Sequence, residues 1–237
     1  MADYRFSAMD KVAAKPVAIN AFMRGVYSWM TLGLGLTAAT AFGVQVSESL
    51  QQLLLQNQIL FFGLIIGQLA LVVTISAGIR KLSAGAASGL FLLYSGLNGL
   101  TIGAILLLYT AASVATAFLT CCGMFAAMSI YGMTTKRDLT SWGSFLFMGL
   151  IGIIIASIVN IFIGNSVMHF VISVIGVIVF TGLTAYDTQK LKTMGETVPH
   201  DDATAVRRGT ILGALSLYLD FINLFLMLLR LFGAGRE

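Results

Sequence analysis

Seven apolar stretches, each about as long as a bilayer is thick, restrict the fold of this chain more than any other feature. They lie at residues 25–46, 59–79, 85–109, 113–133, 142–163, 167–187 and 209–232. A helix crossing the hydrocarbon core needs about 20 apolar residues. In lipid every backbone N–H and C=O must be satisfied within the span, so such stretches are read as helices. The run from 85 to 133 is too long for one span and long enough for two, with Tyr109, Thr110 and Ser113 at the natural break. The expected fold is all-α, an integral membrane bundle of seven transmembrane helices. Residues 1–237 form a single polytopic membrane domain, with 1–24 as a cytoplasmic N-terminal segment.

Composition agrees. Hydrophobic residues make up 58% of the chain and charged residues 10%, against about 25% charged in a soluble domain. The surplus apolar surface must face lipid. Basic residues then fix the direction of insertion. Counted with the N-terminus inside, Arg5, Lys11, Lys15 and Arg24 are cytoplasmic, as are Arg80, Lys81, Lys136 and Arg137. Lys190, Lys192, Arg207 and Arg208 join them, so only Arg230 and Arg236 of the 14 basic residues fall on the other side, beside the C-terminus. This is the positive-inside pattern, and it places the C-terminus outside. A pI of about 9.2 therefore reflects loops that meet anionic head groups rather than nucleic acid. No cleavable signal precedes the first span, which is expected to act as an uncleaved anchor. The adjacent Cys121 and Cys122 read as small packing residues.

Charge inside a span is costly, so each buried ionisable residue is a functional candidate. Three stand out: Arg80 at the end of the second span, Asp187 at the end of the sixth and Asp220 deep in the seventh. Helical spacing puts Gly209, Gly213, Ser216, Asp220, Asn223 and Met227 on one small, polar stripe. Such a stripe cannot face lipid, so the last helix is expected at the centre of the bundle, with Ser216 and Asn223 as candidate lining of a polar path. Plainer roles exist for each. Asp220 could be a neutral packing acid, Asp187 could be solvated or paired with Lys190, and Arg80 could snorkel to head groups. At 1.5 Å per residue, the apolar runs leave Asp187 and Asp220 more than roughly 10 Å apart in depth unless the sixth helix starts deeper, bends or tilts. Asp201 or Asp202 is expected to cap the seventh helix, beginning it before the bilayer.

Four segments, in order, resemble the Bax inhibitor-1 (transmembrane Bax inhibitor motif) family, bacterial branch. They are VYSWMTLGLGLTA at 26–38, LYSGLNGLTIGAILLLYT at 93–110, GLTAYDTQKLK at 182–192 and ALSLYLDFINLFLMLLRLFG at 214–233. The resemblance implies a seven-helix bundle with the last helix central and a pH-sensitive calcium leak. It implies that Asp187 and Asp220 are the family's paired aspartates, and that Arg80 is a latch to the first of them. The lysine-rich tail of eukaryotic members is missing from the end GAGRE. The implied location is a bacterial inner membrane.

If the two carboxyls meet, they resist double ionisation in a low dielectric and share a proton. The shared proton would hold the sixth and seventh helices together. Losing it, or changing Arg80's partner, would part them. Two carboxylates fall far short of the about 6–8 oxygens of a tight calcium cage, so Asp187 and Asp220 would bind calcium weakly, as a permeant ion and not as a cofactor; no cofactor is expected. Partners are lipid and calcium. A non-conducting regulator of a membrane protease or stress pathway is the rival reading. An aspartyl intramembrane protease is remote: Tyr186–Asp187 fits half of that pattern, but Leu217, Tyr218 and Leu219 stand where a Gly-x-Gly would precede Asp220. No enzyme is expected.

Overall fold

Short polar residues divide the chain by accepting hydrogen bonds from the free N–H groups that open each following helix. The computed structural model describes residues 2–199 and 201–233, with side chains from residue 17 onward. His200, Arg236 and the side chains of Arg5, Lys11 and Lys15 lie outside the described residues. The elements are α1 (Ala2–Val46), α2 (Glu48–Gln56), α3 (Gln58–Gly78), α4 (Ala84–Leu106), α5 (Ala111–Thr134), α6 (Thr140–Ile163), α7 (Ser166–Thr197) and α8 (Ala203–Phe232). Ser47, Asn57, Ser83, Thr110, Asn165 and Asp202 cap α2, α3, α4, α5, α7 and α8 through their side chains. α6 ends on Gly164 at φ 68°, a left-handed turn that suits glycine.

All of these except α2 are long and apolar enough to cross a membrane. The chain is therefore an all-helical, multi-pass membrane protein. α2 is an addition to the expected elements. It is a nine-residue amphipathic helix in the link between the first two spans, with Leu54 buried and Leu53 and Leu55 exposed. One further bound differs from the apolar runs: α7 continues ten residues past Asp187 to Thr197. α8 begins at Ala203 behind an Asp202 cap, as expected. Polar residues extend both helices beyond the apolar limit because helix formation continues where caps and partners allow it.

Contacts fix the directions of the helices. Gly33 lies against Phe91 and Ser95, Gly99 against Thr37, and Gly103 against Ala41 and Val44, so α1 and α4 run parallel. Met227 packs on Gly176 and Leu191 on Gly213, so α7 and α8 run antiparallel. α8 also runs parallel to α1, through Gly25 on Thr210 and Thr37 on Tyr218. With these directions, Arg24, Arg80, Lys136, Lys192 and Arg208 gather at one end, called the basic end below. Polar side chains bind the loops there. Arg208 Nε donates to the Leu82 carbonyl (2.7 Å), Lys192 Nζ to the Met133 carbonyl (2.9 Å) and Gln189 Nε2 to the Arg137 carbonyl (2.8 Å). In the exposed α5–α6 loop, hydrogen bonds from Thr140 hold the Asp138 carboxyl below its ordinary range.

α8 packs against α1, α3, α4, α5 and α7. Its apolar stretch is 72% buried, against 11% for α3 and 17% for α6. By contrast α6 leans on α7 alone among the pairings that pack substantially. The face α6 turns outward, including Ile154, Ile158 and Phe162, is exposed for lipid.

Glycine has two different roles here. A Cβ on Gly103 would lie 2.8 Å from the Val44 side chain, and one on Gly99 would run into Thr40 and the Thr37 backbone. Gly85 and Gly89 have open space at the same position. Gly99→Ala should therefore lower stability by about 1–3 kcal/mol through overpacking. Gly89→Ala should be neutral or gain up to about 1 kcal/mol from helix propensity. Thermal unfolding in detergent checks both; equal melting of the two variants would contradict the α1–α4 packing.

Candidate functional site

The polar stripe of α8 faces α7, and a gap opens along it. α6 packs substantially on α7 alone, and the three helices border a cavity of about 460 Å³. α6 supplies Gly143, Ser144, Phe147 and Leu150 to its wall. α7 supplies Tyr186, Asp187 and Lys190 near the basic end and Phe180 deeper in. α8 supplies Ser216, Leu219, Asp220 and Asn223. Asp187 and Asp220 thus line the same cavity.

The register of α7 on α8 explains how they meet. Leu191 sits on Gly213 and Met227 on Gly176. Counting inward between these contacts puts Asp187 level with Ser216, and Asp220 one turn deeper, an axial offset of about 5 Å at 1.5 Å per residue. This is about half the separation expected from the apolar runs. Those runs ended the sixth span at Asp187, whereas the helix goes on to Thr197 and a loop of only 198–202 joins it to α8. A tight link between long antiparallel helices brings the two carboxyls onto the wall of one cavity.

Asp220 is 5% exposed, and its Oδ2 has no hydrogen-bond partner. Orphaned buried polar atoms are rare and costly. Asp187 is half-buried. It forms no ion pair with Lys190. Lys190 Nζ instead lies 5.8 Å from the centroid of the Tyr186 ring. Tyr186 in turn packs against Gly143, where a Cβ would collide with the ring, so that glycine lets α6 close the cavity wall. Asn223 Nδ2 donates to the Leu219 carbonyl (2.8 Å), leaving its carbonyl oxygen free of that bond. Among the described residues no cluster of three or more His, Cys, Asp or Glu could hold a metal ion.

Arg80 lies elsewhere. It is exposed in the turn after α3 and makes no ion pair with Asp187. His169 is exposed near the start of α7. Cys121 and Cys122 are free thiols, Cys121 buried with its S–H directed at the Phe221 carbonyl (3.5 Å).

The opposite face of α8 holds a buried polar network that sequence reasoning missed. The Tyr218 hydroxyl, fully enclosed, lies 2.6 Å from Thr37 Oγ1 and accepts from Asn98 Nδ2 at 3.0 Å. Thr37 also donates to the Ser95 carbonyl (2.9 Å). Phe91 and Tyr94 pack edge-on to the Tyr218 ring, at 5.8 and 5.6 Å between centroids. The available signal was the polar spacing Tyr94, Ser95, Asn98 within an apolar span.

Comparison with known proteins places the whole chain. A family model described as "Inhibitor of apoptosis-promoting Bax1" matches residues 19–237. The inner membrane protein YbhL of Escherichia coli strain K12 is 53% identical over 232 residues, which cover 98% of this chain and 99% of YbhL. A protein of Borreliella burgdorferi is 43% identical over 92% of this chain and 94% of its own length. An uncharacterized membrane protein of Streptococcus pyogenes serotype M1 is 41% identical, again over 92% and 94%.

The two faces of α8 should respond differently to mutation. Tyr218→Phe removes the hub of the Thr37–Asn98 network and should cost about 1 kcal/mol. Asp220→Asn removes a carboxyl that no protein group partners, and should leave the melting temperature unchanged or raised. Thermal unfolding of the two variants in detergent distinguishes them. A large loss in Asp220→Asn would mean that the carboxyl is structural.

Proposed function

We propose that this chain, which belongs to the Bax inhibitor-1 family as its match over residues 19–237 shows, is a pH-sensitive calcium leak gated by Asp187 and Asp220. The observation that carries this reading is the shared cavity, which holds one carboxyl from α7 and one from α8, with Asp220 Oδ2 unpartnered. A bundle built for stability alone would fill such a gap with apolar side chains.

The chemistry follows from the lining. The titratable and charged groups facing the cavity are Asp187, Tyr186 and Lys190 on α7 and Asp220 on α8; α6 contributes none. Two carboxyls in one low-dielectric cavity resist double ionisation, so the pair titrates as a unit. While the pair retains a proton, α7 and α8 stay together. When it leaves, like charges push the helices apart and the freed carboxylates attract a cation entering from the basic end. Ser216, Ser144 and Asn223 offer further oxygens along the wall. The set is too sparse for a tight calcium cage, which suits an ion that must also leave. Arg80, exposed in this arrangement, is the latch candidate for a second arrangement of the helices. The basic end is taken as cytoplasmic on the positive-inside pattern.

Calcium flux into liposomes containing the purified chain, measured across pH, tests the reading. Flux should rise as pH rises through the titration of the pair. Asp220→Asn should abolish it, and Asp187→Asn should remove its pH dependence. Flux no greater than in empty liposomes at every pH would refute the leak and favour a non-conducting regulator of a membrane protease or stress pathway.

A further inference from the structure

A second concave site lies on α1, remote from the aspartates. Arg24, Tyr27, Ser28 and Thr31 line its part nearer the basic end. Leu32, Leu36 and Leu92 flank Gly35 in the remainder. These α1 positions recur at three and four residues, so they form one stripe of the helix. Leu92 of α4 closes the side. The groove has a volume of about 960 Å³, roughly double that of the aspartate cavity. At Gly35 the missing side chain leaves open space, with no heavy atom within 4 Å of where a Cβ would be.

We propose that this groove binds one anionic phospholipid, its phosphate on Arg24 and an acyl chain along Gly35. Two observations carry the assignment. The first is layering: hydroxyls and a guanidinium at the basic end give way to leucines deeper in, the order of a lipid's own head and tail. Arg24 directly precedes the long apolar run from 25 to 46, so it sits at head-group depth. The second is charge. No carboxylate lines the groove. Arg24 is exposed and has no ion pair or hydrogen bond among the described residues. The two arginines of α8 at this end are engaged: Arg207 lies 4.7 Å from the Trp29 ring and donates to Ser88 Oγ, and Arg208 donates to the Leu82 carbonyl. Arg24 is thus left to meet a phosphate. The site is independent of the calcium reading and stands or falls without it.

Native mass spectrometry of the delipidated chain tests the proposal. Phosphatidylglycerol and phosphatidylcholine with the same acyl chains are titrated in turn. The wild type should retain one phosphatidylglycerol about fivefold more strongly than phosphatidylcholine, the worth of one basic side chain beside an anionic head group. Arg24→Gln should abolish that preference and Arg24→Lys should keep it. Gly35→Leu should fill the groove and weaken retention of both lipids without lowering the melting temperature, since its Cβ meets nothing. The proposal is overturned if the wild type does not distinguish the two lipids. It is also overturned if Arg24→Gln and Gly35→Leu retain phosphatidylglycerol as the wild type does, or if a second copy of the chain occupies the groove in place of lipid.

Discussion

A carboxylate in the middle of a membrane helix must be hidden from lipid, and Asp220 sets that demand on the whole bundle. The cost of exposing it to hydrocarbon is several kcal/mol by any scale. The structure answers by enclosing α8, the helix that carries it, among α1, α3, α4, α5 and α7. The long apolar faces of α3 and α6 can then be given over to lipid.

The two faces of α8 serve opposite ends. One face is fastened: Tyr218 joins Thr37 of α1 and Asn98 of α4, with Phe91 and Tyr94 packed around the ring. Glycines at positions 33, 99 and 103 draw α1 and α4 together behind it. The other face is loose by comparison. It borders a cavity, its carboxyl lacks a partner, and the cavity's far wall is α6, which leans on α7. Helix motion that changes the cavity is therefore expected of α6 and α7, against a fixed group of α1, α4 and α8.

Much of this was legible in the residues. The apolar lengths give seven spans, and the split at Thr110 and Ser113 coincides with a helix cap. The stripe through Ser216, Asp220 and Asn223 faces a cavity because 3.6-residue periodicity survives into the folded helix. Less legible was the depth of Asp187. Hydropathy reports where apolar residues stop, not where hydrogen bonding stops, and Lys190, Lys192 and Glu196 continue α7 as a polar helix. The short helix α2 was hidden for a related reason, since nine amphipathic residues are too few to register as a span. The Tyr218 network was also out of reach. Its members lie on three helices, and only the fold shows that residues 37, 98 and 218 share a level.

The central claim is that the Asp187 and Asp220 pair retains one proton and loses it as the path opens. Infrared difference spectroscopy of the chain in lipid, scanned across pH beside calcium flux, observes that proton directly. The account predicts a protonated-carboxyl band in the wild type that disappears over the pH interval in which flux rises, and that is missing in Asp220→Asn. A band that stays constant while flux changes, or that persists unaltered in Asp220→Asn, would contradict it.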